Sequence, residues 1–348
     1  MNSIRHSFAT NPYARGGLWV VVLALGFLGP QLFGGSEVAY TTAVLIAIFA
    51  IMSYGNDIIL SDLGEVSLGQ TVFWAAGAYV TALLVVHSKW SPIPALVVSV
   101  LAATVIAFLL GLATIRTREF VFSLVTYASA IIATAVVTNT DLFGGSDGIV
   151  GIPMLSFPVA GGSYTAYNNT DLWPICFVCL VLVIAFVARF RRSRLGITSL
   201  MTHMNPDLAT TMGVDTRRTR VLVFTLSAPI SALAGWLYAF QRSYVSPDLL
   251  SQFFLLLMLT AVIVPGKRIL LGPLLGTALL VAQQQHLSFG GDIDKIILGG
   301  LLAIVLLTSP DGLAGWARAA TRRRRRPRHT TPDTPAVETT APADLTKA

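Results

Sequence analysis

Asn56 and Asp57 break an otherwise apolar run, and a carboxylate in such a setting is expensive unless it faces protein or water. Three roles are open to Asp57: contact with the ammonium group of a solute, pairing with a basic residue of a partner subunit, or arrival at the inner membrane interface. Ser67 and Thr126 add hydroxyls that, with Asn56 and Asp57, are candidates for lining a path through the membrane. Gln283 to Gln285 and His286 form a second polar group, which either lines an outer vestibule or marks where a helix leaves lipid. Cys176 and Cys179 have C-x-x-C spacing, but they sit in an apolar run with no second pair and no nearby His, and read as packing residues. The five histidines (His6, His87, His203, His286, His329) show no metal-ligand spacing. No G-x-x-x-x-G-K-[ST] loop and no nucleophile elbow is present. The chain is therefore expected to bind no metal or cofactor and to catalyse no reaction, ATP hydrolysis included.

The elements that must position these groups follow from composition. Of 348 residues, 54% are hydrophobic and only 12% charged, and mean hydropathy is +0.70. A soluble domain could not cover that much apolar surface, whereas helices of roughly 20 apolar residues span a bilayer core. Apolar runs between polar breaks predict ten spans: 18–33, 39–60, 69–87, 93–114, 120–138, 172–189, 220–240, 250–265, 269–286 and 293–309. Gly and Pro near the ends of the third and eighth make these two candidates for broken or re-entrant segments. The first run follows Arg15 and lacks a small-x-small cleavage site, so it reads as a retained helix rather than a signal peptide.

Orientation can be tested by charge. With the N-terminus in the cytoplasm, all of the 24 Lys and Arg residues except Lys89, Arg242 and Lys295 fall inside, as the positive-inside rule requires. Both termini are then cytoplasmic. Residues 1–17 form the inner N-terminus. The outer loop 139–171 carries Asp141, Asp147 and Asp171 and no basic residue; the inner loop 190–219 is strongly basic. The tail 317–348 holds Arg322 to Arg326, is rich in Thr, Pro and Ala, and reads as a disordered segment held against anionic lipid. The net charge of +7 is mostly this tail and is no sign of nucleic-acid binding.

Four stretches carry a resemblance. Gly64-Glu65-Val66-Ser67-Leu68-Gly69-Gln70 continues through Phe73 to Gly77-Ala78-Tyr79. There Ser67 is placed to cap the following helix, and Gly69 and Gly77 offer a small-residue contact surface. Arg116-Thr117-Arg118 leads past Thr126 to Gly144-Gly145-Ser146-Asp147-Gly148 and Gly151-Ile152-Pro153. In the inner loop, Arg194-Leu195-Gly196 precedes Asn205-Pro206-Asp207-Leu208-Ala209 and Gly213; Asp207 is placed to cap a short helix and Gly213 to end it. Ser227, Ser231 and Gly235 recur every four residues beside Pro229, and Gly272-Pro273 and Ser309-Pro310-Asp311-Gly312 follow. Together these resemble the LivM-type permeases of branched-chain amino acid ABC importers, over roughly residues 40–316. The chain departs from the family pattern at Glu65 and Gln70, at the missing Glu of the coupling segment, and at Pro265, Lys267 and Arg268.

The resemblance implies an all-α polytopic protein with an ABC importer permease fold over residues 18–316. It implies a cytoplasmic coupling segment using Arg194, Gly196, Asp207, Ala209 and Gly213, with Gly69, Gly77, Ser227, Ser231 and Gly235 packing helices. Two ATP-binding subunits that use the ATP, a second homologous permease and an extracytoplasmic solute-binding protein are the implied partners, at the plasma membrane. Branched-chain or related amino acids are the implied solutes, with urea, amides or another small solute as the alternative. An ion-coupled secondary transporter would need midmembrane carboxylates, of which Asp57 is the one notable example.

Overall fold

A computed structural model describes residues 24–32, 34–115, 119–159 and 162–286, with isolated positions up to residue 300. The expected N-terminal segment, the Arg116–Arg118 turn, most of the tenth run, the Ser309–Gly312 motif and the tail lie outside the described residues. Residues 24–32 are helical. Ten helices follow: α1 (Glu37–Asp57), α2 (Gln70–Val86), α3 (Pro92–Ala113), α4 (Glu119–Thr138), α5 (Asn169–Phe190), α6 (Arg194–Met204), α7 (Pro206–Thr211), α8 (Thr216–Arg242), α9 (Gln252–Ile263) and α10 (Gly272–His286). The chain is an all-α polytopic membrane protein.

Local chemistry sets the helix starts. Ser36 accepts from Ala39 N ahead of α1, Asp171 reaches back to Asn168 N ahead of α5, and Asp215 accepts from Arg218 N ahead of α8. Pro92 stands in the first turn of α3, where its missing N–H is no loss. Inside the spans, where lipid offers no hydrogen bonds, Thr81, Thr104 and Thr134 return their hydroxyls to carbonyls four residues back.

Among the described residues five helices are long and apolar enough to cross a membrane: Glu37–Leu63, Pro92–Ala113, Phe120–Thr138, Asn169–Phe190 and Thr216–Arg242. The ten expected spans are therefore not matched one for one. The third, α2, has 17 residues, and the eighth, α9, only 12. At 1.5 Å per residue, α9 is about 18 Å long against a hydrocarbon core of about 30 Å, so it does not cross by itself. The chain turns at Pro265–Leu271 and returns as α10, packed against α9 and α1.

The membrane windows of α1 and α8 are 83% and 72% buried, against 22% for α4, so α1 and α8 form the centre of the fold. A methyl group on Gly77 of α2 would collide with the Ala232 carbonyl of α8, and one on Gly235 with the Trp74 carbonyl. Backbones can approach this closely only where side chains are absent. Beside that crossing, Gln70 Nε2 donates to Ser231 Oγ at 2.9 Å and Ser227 Oγ at 3.3 Å, and Gly55 of α1 abuts Ser231. Gly69 lies against the Thr126 carbonyl of α4. At the end of α5 and α8 away from α6 and α7, β1 (Ile149–Val150) pairs antiparallel with β4 (Tyr244–Val245), and β2 (Ser156–Val159) with β3 (Gly162–Thr165).

Candidate coupling and translocation sites

The inner loop folds as two short helices on a rigid base. Ser193 caps α6 by accepting from Gly196 N at 3.2 Å. A Cβ on Gly196 would strike the Phe190 carbonyl, so the turn out of α5 depends on this glycine. The cap of α7 is Asn205, which accepts from Leu208 N at 3.0 Å, with Pro206 in the first helical turn. Asp207, expected as the cap, lies exposed in that first turn instead, because Asn205 already occupies the capping position. Gly213 has φ of 83°. Gly213 N donates to Thr210 O and Val214 N to Ala209 O, the paired bonds of a Schellman end. Ala209 is buried while Arg194 is exposed. Met204, Leu208 and Met212 recur every four residues and are 77%, 58% and 64% exposed. Three exposed apolar side chains thus cluster over the last residue of α6 and the length of α7.

Beneath α6 lies a buried charge cluster. After Asp57, α1 widens into a π-helical turn, Ile58–Leu63, closed by Gly64 at φ of 78°. Positions five apart on an α-helix point about 140° away from each other, whereas i→i+5 bonding brings them toward one face. Asp57 and Asp62 consequently share one cation. Arg191 Nη2 meets Asp57 Oδ2 at 2.7 Å, and Arg191 Nε meets Asp62 Oδ2 at 3.0 Å. Ser61 donates to Asp57 Oδ1 at 2.6 Å and accepts from Arg268 N at 3.1 Å, and Arg268 Nε lies 3.5 Å from Asp62 Oδ1. Buried charges persist only when paired in this way. Burial works against the charge on Arg191, but Asp57 and Asp62 outweigh it and push its pKa up. Nearby, Arg220 pairs with Glu65, and His203 of α6 packs on Gly64. Burial, then Lys267 and Arg268, push the His203 ring below its usual pKa.

A groove of about 430 Å³ runs along α4, from Thr138, Asn139, Leu250 and Gln252 at one end to Leu68, Thr71 and Tyr127 at the other. Its walls carry hydroxyls and amides but no charge. Below it, Leu60 of the π-helical turn packs with Leu255, Leu259, Val262, Ile263 and Val264, and Leu68 and Tyr127 rest on this core.

None of the path candidates Asn56, Asp57, Ser67 and Thr126 lines the groove. Asp57 has its partner within the chain, a role not among the three the sequence left open. Thr126 accepts from Leu68 N at 3.2 Å and so fixes the segment ahead of α2. Ser67 does not cap α2; the position preceding that helix is Gly69, and Ser67 Oγ is buried without a hydrogen-bond partner. The sequence reading missed the groove side of α4, although Tyr127, Ile131, Thr134 and Thr138 recur with the helical period that would reveal a shared face.

Comparison with known proteins adds the family context. The sequence model of the family described as "Branched-chain amino acid transport system / permease component" matches residues 38–306. The high-affinity branched-chain amino acid transport system permease protein LivM of Escherichia coli K12 is 26% identical over 86% of this chain and 75% of its own length. Its Salmonella typhimurium counterpart is 25% identical over 79% and 70%. The autoinducer 2 import system permease protein LsrD of Escherichia coli K12 is 22% identical over 83% and 88%. No solved structure gives a significant match.

Proposed function

The chain belongs to the branched-chain amino acid transport system permease family, and from that premise we propose that it is the membrane-spanning subunit of an ATP-driven importer of branched-chain amino acids. It sits in the plasma membrane with both termini in the cytoplasm, carries no catalytic group, and works with two ATP-binding subunits, a second homologous permease and an extracytoplasmic binding protein. Residues 18–316 form the permease domain, and residues 190–219 its coupling segment.

The exposed apolar side chains of Met204, Leu208 and Met212 carry this reading. Exposed apolar side chains on a cytoplasmic face mark a protein contact, and the Schellman end at Gly213 fixes the end of α7 beside Leu208 and Met212. A groove on an ATP-binding subunit is the surface it fits. Movement of that subunit displaces α6 and α7, and the groove along α4, completed by the second permease, carries the solute. Its uncharged walls suit an aliphatic side chain, with Thr71, Thr134, Thr138, Asn139 and Gln252 available to the polar end. The likeness to an autoinducer 2 permease supports a second reading, import of another small solute.

Purification of the complex from native membranes tests the assignment. An ATP-binding subunit and a second permease should accompany the wild-type chain, and a Leu208→Asp chain should lose the ATP-binding subunit alone. A chain that imports solute with no such subunit attached would contradict it.

A further inference from the structure

One six-residue turn carries two unrelated sets of contacts. Toward the inner face, Ile58–Leu63 and the adjoining Asp57 are gripped by Arg191, three residues ahead of α6, and by Arg268, which leads into α10. His203, near the far end of α6, seats on Gly64, which closes the turn. Toward the groove, Leu60 packs into the apolar core on which Leu68 and Tyr127 rest. A π-helical turn is a rare local winding that recurs at functional sites, and the ion pairs of this one are directional contacts to a neighbouring element.

We propose that the turn Ile58–Leu63 is the transmission link of the permease. Arg191, Asp57 and Asp62 are positioning residues that convert displacement of α6 into movement of Leu60 and so open or close the floor of the groove. The inference rests on the importer reading above. It adds which residues carry the movement and where the movement ends. The segment that enters α6 has two holds on the turn, Arg191 at the end of α5 three residues before α6 and His203 near the far end of α6, so a shift of that segment drags the turn rather than sliding past it. Leu60 then leaves the side chains of α9, and Leu68 and Tyr127 lose their support. A charge cluster serving stability alone would give the same packing without tying this movement to ATP.

The test reads access to the groove floor. Thr71→Cys, placed in a chain with Cys176→Ser and Cys179→Ser, is labelled from outside by a membrane-impermeant maleimide in the complete reconstituted complex, with and without trapped ATP. Leucine import per ATP is measured on the same preparations. With Arg191 intact, ATP trapping should change the labelling rate at least about fivefold. Replacing the cluster with neutral isosteres (Arg191→Gln, Asp57→Asn and Asp62→Asn together) should abolish that change and reduce leucine import per ATP about tenfold, with the ATP-binding subunits still bound. Arg191→Lys, which keeps the charge but reaches one carboxylate at a time, should give an intermediate loss. The same ATP-dependent change in the neutral variant would overturn the link while leaving the importer reading intact. No ATP-dependent change even with Arg191 present would overturn the groove as the path, and the link with it. Loss of both the neutral and the Lys variants from the membrane would show a folding element instead and would equally overturn it.

Discussion

The two rims of the molecule, inner at α6 and α7 and outer at the β-strands in the proposed orientation, are held by different forces. Ion pairs gather at the rim beside α6, in Asp57, Asp62, Glu65, Asp215 and their arginines. The outer rim is held by short strands, by Tyr244 donating to the Asp147 carbonyl, by Trp236 donating to the Pro92 carbonyl, and by glycines with positive φ at 144, 148 and 151. Charge pairs are strong, directional and costly to separate when buried, and they suit a face that must pass force between elements. Backbone pairing and tight turns give a preformed surface that need not move with the rest. Under the proposed function, the contrast is a division of labour in which the inner face receives work and the outer face receives cargo.

Removing one partner at the inner rim should have the largest effect. Arg191→Ala leaves two buried carboxylates with no Arg191 and should cost about 3–5 kcal/mol, read as a fall in thermal midpoint of the purified chain. A loss below about 1 kcal/mol would mean the cluster is not held as described.

At the outer rim the largest single change is Gly148→Val. It combines a φ of 72° with a collision against the Val245 carbonyl. It should cost about 1–3 kcal/mol and lower stimulation by the binding protein, with the ATP-binding subunits still attached. Loss of those subunits instead would erase the distinction between the rims.

Much of this contrast is legible in the sequence, and the missing parts have physical causes. Hydropathy finds α1, α3, α4, α5 and α8 because lipid demands apolar length. Positive φ at Gly213 follows from its place after a short helix. The Asp57–Arg191 pair joins residues 134 apart, and no local pattern announces it. The π-helical turn that brings Asp62 to the same arginine is a departure from the period that sequence reading assumes. Asn205 and Asp207 are both good capping residues two positions apart, and only the backbone at Asn205, extended at φ of −157°, decides between them. α9 looks like a span because its apolar run continues to Pro265, although the helix itself stops at Ile263.

A smaller effect is expected at Gly213. Its φ favours glycine, and nothing crowds a side chain there, so Gly213→Ala should cost about 1 kcal/mol through the left-handed backbone alone. Reduced recovery of the ATP-binding subunit, with unchanged stability of the spans, checks it.

The smallest effect should be the pH dependence at His203, which faces Lys267, Arg268 and Asp62. Its folded pKa lies below its unfolded value near 6.5. Stability is therefore complete above that value and declines as pH falls through it, since the unfolded chain takes up the proton first. His203→Gln should flatten the slope of thermal midpoint as pH falls below about 6.5, and an unchanged slope would place its origin elsewhere.

The division between the rims is tested most directly by photo-crosslinking in intact cells, with a photoreactive amino acid at Leu208 in one chain and at Val150 in another. Leu208 should crosslink to an ATP-binding subunit and Val150 to an extracytoplasmic binding protein, with no exchange between the two. Absence of any ATP-binding subunit from the Leu208 product, in cells that import the solute, would contradict the account at its centre.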